Sequence, residues 1–591
     1  MQSKIKEISL IIINQLPFAI SIATIIAVFY DLGFNHLPSE REILQLIYLF
    51  CLCVGAVSII SRYYSGKKKP VLKVIAFDFL LLMFILTLVY LDIKLLFENN
   101  FTFSQFQLKR SWIYLALFLV FIRELSATSI DFKRMIINPA QLFILSFLFI
   151  ILVGCGLLLL PNATHSNISI IDALFTSTSA VCVTGLTVVD TGSFYTHFGQ
   201  YIILMLIQLG GIGIMTFTSY FSFFFKAGST YENQLLLSAM NNTEKIGEVY
   251  ETLKKIILIT FIIEGIGALL IFQSIDIVTI PSFLDRTFFS VFHSISGFCN
   301  AGFSTLQNNL YEPSFRFNYP VHLVISFLII LGGIGFPIVF NLMNYVKVFF
   351  RNLVLYFWGR KQFIRQPRII NVNTRIVLVT TAILIVLGTI LVYIFEYNNT
   401  LAEHGFWGKI ITAFFGSVTT RTAGFNSVDT SLLNTPTIMV VIFLMWIGAS
   451  PGSTGGGIKT STFAIAFLNF LSLAKGKPKI EVFKYEIAQN SVNRAFAIIT
   501  LSVLVLSISI FSISLFDIEK GLLNISFECV SAFGTVGLSR GITATLSNPS
   551  KFVLIITMFI GRVSMLTIFI AVFKKLAHHK YHYPTEEILI N

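Results

Sequence analysis

Long apolar runs, separated by shorter polar segments, make up most of the chain. Twelve of them have the roughly 20 residues that a helix needs to cross a bilayer. Four runs precede residue 130 and cover 8–30, 43–61, 72–95 and 110–127. The other eight form pairs, at 141–160 and 199–224, 253–273 and 320–346, 374–395 and 436–470, and 493–516 and 552–574. This pattern predicts an all-α integral membrane protein with about 12 spans.

A shorter, half-apolar stretch lies between the two long runs of every pair. These stretches are residues 168–179, 283–296, 406–418 and 522–532. Each is too short to cross the membrane and leads into a glycine-containing segment, so the chain is expected to enter as a helix and return as a strand. Non-helical backbone at membrane depth is tolerated where it lines a water-filled cavity or is buried in protein. Four hairpins around one axis meet that condition, which predicts four pseudo-symmetric helix–pore-helix–filter–helix repeats, like a potassium channel.

The four glycine-containing segments read AVCVTG, GFCNAG, TTRTAG and AFGTVG. Their final glycines are 113 to 122 residues apart, and repetition at such a period indicates architecture rather than four unrelated turns. Glycine reaches positive φ without strain, so successive carbonyls can face one axis and replace the hydration shell of a potassium ion. The expected ion-binding carbonyls belong to Val183, Thr184, Gly185, Asn300, Ala301, Gly302, Thr422, Ala423, Gly424, Thr535, Val536 and Gly537.

These repeats imply a linear domain plan. It comprises an N-terminal four-helix extension (1–130), pore repeats at 140–226, 252–347, 374–470 and 493–575, and a cytoplasmic C-terminal tail (576–591). An even number of spans puts both termini on one side. Lysine and arginine concentrate in alternate loops, so the positive-inside rule assigns that side to the cytoplasm. We expect a multi-pass protein of the cytoplasmic (inner) membrane whose N-terminal apolar run is a retained helix.

Composition agrees with this class of protein. The chain is 55% hydrophobic and 12% charged, with a mean hydropathy of +0.81. Its net charge of +13 is explained by topology and attraction to lipid headgroups, so no nucleic-acid partner is expected. The six cysteines lack metal-ligand spacing. No covalent cofactor is expected, potassium is the expected substrate, and sodium is a candidate coupling ion.

Several motifs identify a family. They include LIQLGGIGIMTF (206–217), TTRTAGF (419–425) and IGASPGSTGGGIKTSTF (447–463). Over about residues 140–591 the chain resembles the KtrB- and TrkH-like membrane subunits of the Trk/Ktr/HKT superfamily of potassium transporters. The resemblance implies a homodimer that binds a cytosolic KtrA/TrkA-like nucleotide-binding regulatory ring. It also links glycine in all four filter positions to potassium preference, with a sodium- or mixed-cation-permeable transporter of the same fold as the alternative.

The third inner helix is interrupted by residues 448–457, where proline and clustered glycine cannot sustain a helix. The resemblance implies that the intramembrane loop 448–459 opens and closes the pore below the filter. The expected gating residues are Gly452, Gly455, Gly456, Gly457, Lys459 and Arg562. A nucleotide-binding P-loop is disfavoured because Ile458 separates Gly457 from Lys459. A simple helix kink is the other alternative.

Charges inside apolar runs are costly, and they usually face an interior cavity. Arg562 is therefore expected to brace the gating loop or to form part of a barrier. Glu264 is expected either to act in function or to form a structural pair with Lys459 or Arg562. Arg421 is expected to hold backbone carbonyls from behind the filter. The pore-helix stretches contain three acidic residues, Asp172, Asp285 and Glu528. We expect them either to concentrate cations at the mouth of the pore or to be solvated loop residues.

Other classes fit less well. A membrane enzyme would need a catalytic cluster of carboxylates, histidines or a nucleophile, and the scattered histidines supply none. A scaffold or receptor would not need four filter strands. In the N-terminal extension, Arg110 and Arg123 do not form the every-third-residue pattern of a voltage sensor, so lipid packing, partner binding or assembly is favoured. No residue decides between sodium-linked, proton-linked and uncoupled flux.

Overall fold

The computed structural model describes residues 2–64, 72–97, 103–127, 139–225, 249–358, 370–563 and 568. The predicted C-terminal tail lies outside this described part. Two compact units emerge, which we call the N-terminal unit (Met1–Met135 with Leu160–Ala163) and the pore unit (Ile136–Leu159 with Thr164–Asn591). The finer predicted domain boundaries stay a prediction.

Four helices form the N-terminal unit, in agreement with its four apolar runs. They are α1 (Gln2–Gly33), α2 (Pro38–Tyr64), α3 (Leu72–Phe97) and α4 (Phe103–Ala127). Aliphatic side chains such as Leu52 and Ile85 fill the centre. Among the described residues of this unit, three ion pairs also cross-link the helices, and each one places an arginine against a buried carboxylate. The pairs are Arg110–Asp31, Arg123–Asp78 and Arg62–Glu124.

In the described pore unit, the order outer helix, pore helix, inner helix occurs four times. The first two repeats contain α5 (Pro139–Leu158), α6 (Ile170–Val181), α7 (His197–Phe225), α8 (Val249–Ser274), α9 (Phe283–Cys299), α10 (Tyr319–Ile334) and α11 (Phe336–Phe357). The last two contain α12 (Val372–Glu396), α13 (Phe406–Thr419), α14 (Thr435–Trp446), α15 (Thr460–Ala474), α16 (Gln489–Phe516), α17 (Leu522–Gly534) and α18 (Asn548–Val563). A small hairpin of β1 (Glu481–Val482) and β2 (Tyr485–Glu486) precedes α16.

The pore helices are α6, α9, α13 and α17, and they lie where the half-apolar stretches predict them. Two of them begin at a serine whose hydroxyl accepts a backbone N–H three residues on. Ser169 caps α6 in this way and Ser282 caps α9. Such caps satisfy donors that a helix start leaves unpaired. Each pore helix then runs into a filter strand, so the partial negative charge of its C-terminus faces that strand.

Helix packing joins the repeats in a closed cycle. The inner helices α7, α10 and α14 each pack on the pore helix of the next repeat, which is α9, α13 and α17 in turn. The last inner helix, α18, packs on the first pore helix, α6. One chain therefore builds a ring of four repeats, as the sequence predicts.

The second inner helix departs from the prediction of one continuous span over 320–346. It breaks at Gly335, between α10 and α11, and bends by 102°. Gly335 has a φ of 93°, in the left-handed region, and Pro337 follows it. Within the described residues, seven helices are long and apolar enough to cross a membrane, or eight if the bent pair is one span. The all-α membrane fold is confirmed, while the count of twelve spans stays a prediction.

Candidate functional site

Each filter strand turns one backbone carbonyl, at an equivalent position in its repeat, away from its own pore helix. In each repeat, the N–H of the residue before the glycine donates to a carbonyl of its own pore-helix segment. The four bonds are Thr184 to Ser179 (2.8 Å), Ala301 to Ser296 (2.7 Å), Ala423 to Thr419 (3.0 Å) and Val536 to Ser531 (2.9 Å). In a trans peptide the C=O points opposite to the N–H. In each of these four peptide bonds the carbonyl belongs to the preceding residue, and it therefore points away from the pore helix. The four residues are Val183, Asn300, Thr422 and Thr535. We call these four oxygens the inner layer.

Left-handed backbone makes this arrangement possible. The filter glycines have φ between 70° and 92°. Val183, Asn300 and Thr535 also have positive φ, at 56°, 61° and 49°. Non-glycine residues in this region are strained and are kept there only by their surroundings. The alternation allows neighbouring carbonyls to face the same side, as a row of ion sites requires.

The third strand is the exception. Unlike its counterparts Val183, Asn300 and Thr535, Thr422 does not have a positive φ. Its strand is one residue shorter than the others, counted from the anchoring carbonyl of Thr419 to Gly424. Both Ala423 and Gly424 donate to Thr419, so this strand leaves its pore helix by a tighter turn. The second strand also differs, because Asn309 Nδ2 donates to the carbonyl of Gly302 at 3.1 Å.

Each filter glycine lies close to the neighbouring filter strand, which explains why glycine recurs in all four segments. A β-carbon on Gly185 would overlap the carbonyl oxygen of Ala301, and one on Gly302 would overlap that of Ala423. The same relation continues from Gly424 to Val536 and from Gly537 back to Thr184. Each glycine thus makes room for the next strand, and the four contacts close a ring. We call this arrangement the glycine ring.

A cavity of about 460 Å³ opens over the glycine ring and is lined by all four of its glycines. Its lining carries two acidic residues, Asp190 and Asp429, and one basic residue, Arg540, whose guanidinium bonds to Asn524 and Ser431. Burial raises the pKa of Asp190 above its ordinary value, although hydrogen bonds from Ser193 oppose that effect. Negative charge in such a vestibule concentrates cations.

The acids predicted at the mouth do not line this cavity. Asp172 instead forms an ion pair with Lys551 of α18 at 2.8 Å. Glu528 is fully buried and accepts hydrogen bonds from Ser539 and Thr543, so it holds the chain that follows the fourth strand. Asp285 is an exposed residue at the start of α9. Both expectations are therefore wrong for Asp172, which is paired, and for Glu528, which is buried, whereas Asp285 fits the alternative of a solvated acid.

The gating loop lies in the break of the third inner helix, between α14 and α15. Its ends approach each other through a bridge of Ile447 and Ile458. It also interlocks with the break of the second inner helix: Ser450 N donates to Gly333 O, and Phe336 N donates to Gly452 O, both at 3.0 Å. The bend at Gly335 thus supplies free backbone groups, and the loop satisfies them.

The same loop touches filter residues directly. Gly456 N donates to Thr535 Oγ1 at 2.9 Å, and the Asn300 amide lies 3.0 Å from Thr454 Oγ1. A β-carbon on Gly455 would collide with the Thr422 side chain. Ser450 and Thr454 are buried. The loop therefore lies against the inner end of the filter strands rather than in open solvent.

Two cations hold the loop. Arg562, which is 5% exposed, donates to the carbonyl of Thr454 and, at 2.7 Å, to that of Gly210. It is thus in contact with the loop, as its predicted bracing role requires. Lys459 Nζ donates to Gly455 O at 2.6 Å.

Two other buried charges depart from expectation. Among the described residues, Arg421 makes no side-chain hydrogen bond to a carbonyl, and its buried Nε has no partner, so the predicted contact is absent. Glu264 accepts from Gln208 Nε2 at 3.1 and 3.2 Å and lies 3.8 Å from Cys299 Sγ. The predicted pairing of Glu264 with Lys459 or Arg562 is wrong.

Sequence reasoning missed Gln208, Gly335 and the two vestibule acids. Gln208 is a polar residue within the apolar LIQLGGIG segment, and a buried glutamine needs a partner there. Gly335 lies in LGGIGFP, where glycines and a proline follow each other closely. Asp190 and Asp429 follow their filter strands, and only the assembled ring shows that both face one cavity.

The fold, the glycine ring and the buried loop define a multi-pass membrane transporter of cations. Residues 136–582 match the TrkH family, whose description is cation transport protein. The chain belongs to the TrkH family. This membership confirms the prediction of a transporter rather than an enzyme.

Curated relatives and a solved structure support this assignment. The chain is 36% identical to the Ktr system potassium uptake protein B of Bacillus subtilis (strain 168), over 76% of this chain and 96% of that protein. It is also 36% identical to the potassium/sodium uptake protein NtpJ of Enterococcus hirae, over 77% of this chain and 97% of that protein. The crystal structure of the potassium transporter TrkH from Vibrio parahaemolyticus has the same fold, with a TM-score of 0.58 and 18% identity. That match covers 84% of this chain and 97% of the TrkH chain.

Proposed function

We propose that this protein takes up potassium across the cytoplasmic membrane, through the filter that its four repeats form, with both termini in the cytoplasm. The inner layer carries this proposal, because four carbonyl oxygens, one per repeat, can replace the water around a dehydrated cation. Glycine in all four ring positions lets the four strands pack closely against one another. The relative from Bacillus subtilis is named a potassium uptake protein, and the one from Enterococcus hirae a potassium/sodium uptake protein.

The gating loop regulates this flux in our proposal. It lies against the filter strands, and several of its backbone N–H groups donate to α10, to α18 and to Thr535 of the filter. A buried loop with paired polar groups is stable where it lies. Opening the pathway requires these bonds to break together.

Assembly is the next part of the proposal: two copies form a homodimer that binds a KtrA/TrkA-like nucleotide-binding regulatory ring in the cytosol. The word "system" in the name of the Bacillus subtilis relative supports a partner subunit. Mass measurement of the purified protein in nanodiscs tests the dimer, and a monomeric mass contradicts it. Co-purification of a nucleotide-binding subunit tests the ring.

The experiment for potassium uptake is rubidium-86 flux into liposomes that contain the purified protein. Gly424→Ser and Gly185→Ser should each abolish most of the flux, because a β-carbon there overlaps a carbonyl of the adjacent strand. Gly405→Ser is the matched control: this residue caps the third pore helix, and a β-carbon there meets nothing within 4 Å. Wild-type flux in the two ring variants would contradict the proposal, and no flux in the wild type would favour a scaffold.

A second candidate function is sodium or mixed-cation transport, which the potassium/sodium name of the Enterococcus hirae relative favours. Sodium-22 flux in the same liposomes distinguishes the two, because a potassium filter admits little sodium. Rubidium uptake with and without an imposed sodium gradient tests sodium as a coupling ion. A rate independent of that gradient excludes sodium coupling.

A further inference from the structure

The gating loop bonds to filter strands that lie opposite each other. The glycine ring sets the order of the strands, so the second and fourth are each flanked by the first and third. The loop makes polar side-chain contacts with Asn300 of the second strand and Thr535 of the fourth. Both residues have positive φ, and both contribute a carbonyl to the inner layer.

In the part of the chain that the structure describes, the first and third strands make no such polar side-chain contact with the loop. Position 183 in the first strand is a valine, which has no hydrogen-bonding side chain. Among the described residues, Thr422 in the third strand makes no hydrogen bond to the loop and lies close to Gly455. The loop is therefore fastened along one diagonal of the ring.

The loop also forms hydrogen bonds with the inner helices α10 and α18. Thr454 N donates to Gly332 O, Gly457 N donates to Gly561 O, and Arg562 donates to the Thr454 carbonyl. Thr454 thus contacts the filter with its side chain and Arg562 with its backbone. A change at the filter end can reach α18 through this single residue.

We propose that Asn300 and Thr535 are positioning residues that latch the gating loop to the filter, so that loop docking opposes cation binding in the inner layer. This inference rests on the proposed potassium transport and specifies how its gate is controlled. The Thr535 hydroxyl oxygen accepts the Gly456 N–H in the docked state. A cation in the inner layer attracts that oxygen and the neighbouring carbonyls, and so weakens the bond to the loop.

Linkage gives the latch two measurable consequences. If a cation weakens docking, then docking weakens cation binding by the same factor. Higher potassium or rubidium concentration should therefore release the loop. Removal of one latch bond should shift the docking equilibrium by about 2- to 10-fold, the usual net effect of one hydrogen bond. The apparent affinity for rubidium should rise by a similar factor.

Hydrogen–deuterium exchange of residues 448–459 in the full-length protein, reconstituted in nanodiscs, tests the latch. In the wild type, exchange of the loop should increase as rubidium chloride replaces choline chloride. In Thr535→Val it should be fast in both salts, and Thr535→Ser, which keeps the hydroxyl, should restore the dependence on rubidium. Thr454→Val removes the Asn300 bond from the loop side, together with the bond of the same hydroxyl to Phe298 O. It should also speed exchange of the loop in both salts, even if the filter variant does not fold.

Ser453→Ala is the control within the loop, because its hydroxyl bonds only to Ser450 O among the described residues. It should leave the difference between rubidium and choline unchanged. Equal exchange of the wild-type loop in the two salts, with normal rubidium flux, would overturn the latch and leave the proposed transport intact. Absence of rubidium flux would instead refute the proposed transport.

Discussion

The two units of this chain treat charge inside apolar helices in different ways. In the N-terminal unit, Arg62, Arg110 and Arg123 each face a buried carboxylate of a different helix. In the described part of the pore unit, the cations at the filter and gating loop have no carboxylate partner. Arg562 and Lys459 bond to backbone carbonyls.

This difference indicates which buried charges stabilise the fold and which ones act on the gating loop. A buried ion pair roughly offsets its own desolvation cost and links two helices, whereas an isolated cation in a membrane interior is costly. Cations are kept below the filter because they hold loop carbonyls there, at the end of a cation pathway. Loss of a charge in the N-terminal unit should therefore reduce stability, and loss of a charge at the loop should alter flux.

The largest effect is expected from Asp78→Asn in the N-terminal unit. It leaves Arg123 without its carboxylate, and breaking a buried pair costs about 3–5 kcal/mol. The melting temperature in detergent should fall markedly, while rubidium flux per folded molecule stays unchanged. The double variant Asp78→Leu with Arg123→Leu is the control, and it should melt near the wild type. A loss of flux at normal stability would show that this pair acts in transport.

An intermediate effect is expected from Arg562→Gln at the gating loop. The variant weakens two charge-assisted hydrogen bonds, each worth about 1.5–3 kcal/mol. One holds the loop at the Thr454 carbonyl, and the other anchors the guanidinium to Gly210 of α7. Basal rubidium flux should rise about 10- to 100-fold, the factor that corresponds to one such bond. Arg562→Lys should fall between the variant and the wild type. Lower basal flux in Arg562→Gln would assign Arg562 to filter support instead.

The smallest effect is expected from Lys459→Met. Its ammonium makes a single hydrogen bond, to Gly455 O within the loop itself, and the residue is half-buried, so its loss frees one carbonyl without breaking a contact to another helix. Basal flux should rise by about 2- to 10-fold, as for an ordinary hydrogen bond. The ratio of rubidium to sodium flux should not change, and a changed ratio would place the ammonium beside the ion path.

Local sequence signals predicted much of the site. The pore helices follow from half-apolar stretches, and the interrupted third inner helix follows from proline and glycine in Ser450-Pro451-Gly452. These features depend on neighbouring residues only. The expected contact of Arg562 with the loop is present because a buried guanidinium requires acceptors.

Features that depend on distant residues were not predicted. The partner of Glu264 is Gln208, on the inner helix of the preceding repeat. The bend at Gly335 is stabilised by Gly452, which lies far along the chain. The shorter third strand has no local signal, because its segment has the same apparent length as the others until the anchoring carbonyl of Thr419 is known.

The glycine ring has an evolutionary consequence, because one gene encodes all four of its members. In a pore built from four identical subunits, a single codon change alters every strand at once. Here the same change alters one strand and its contact with the next. Each quarter of the ring can therefore diverge alone, and ion preference can change in single mutational steps.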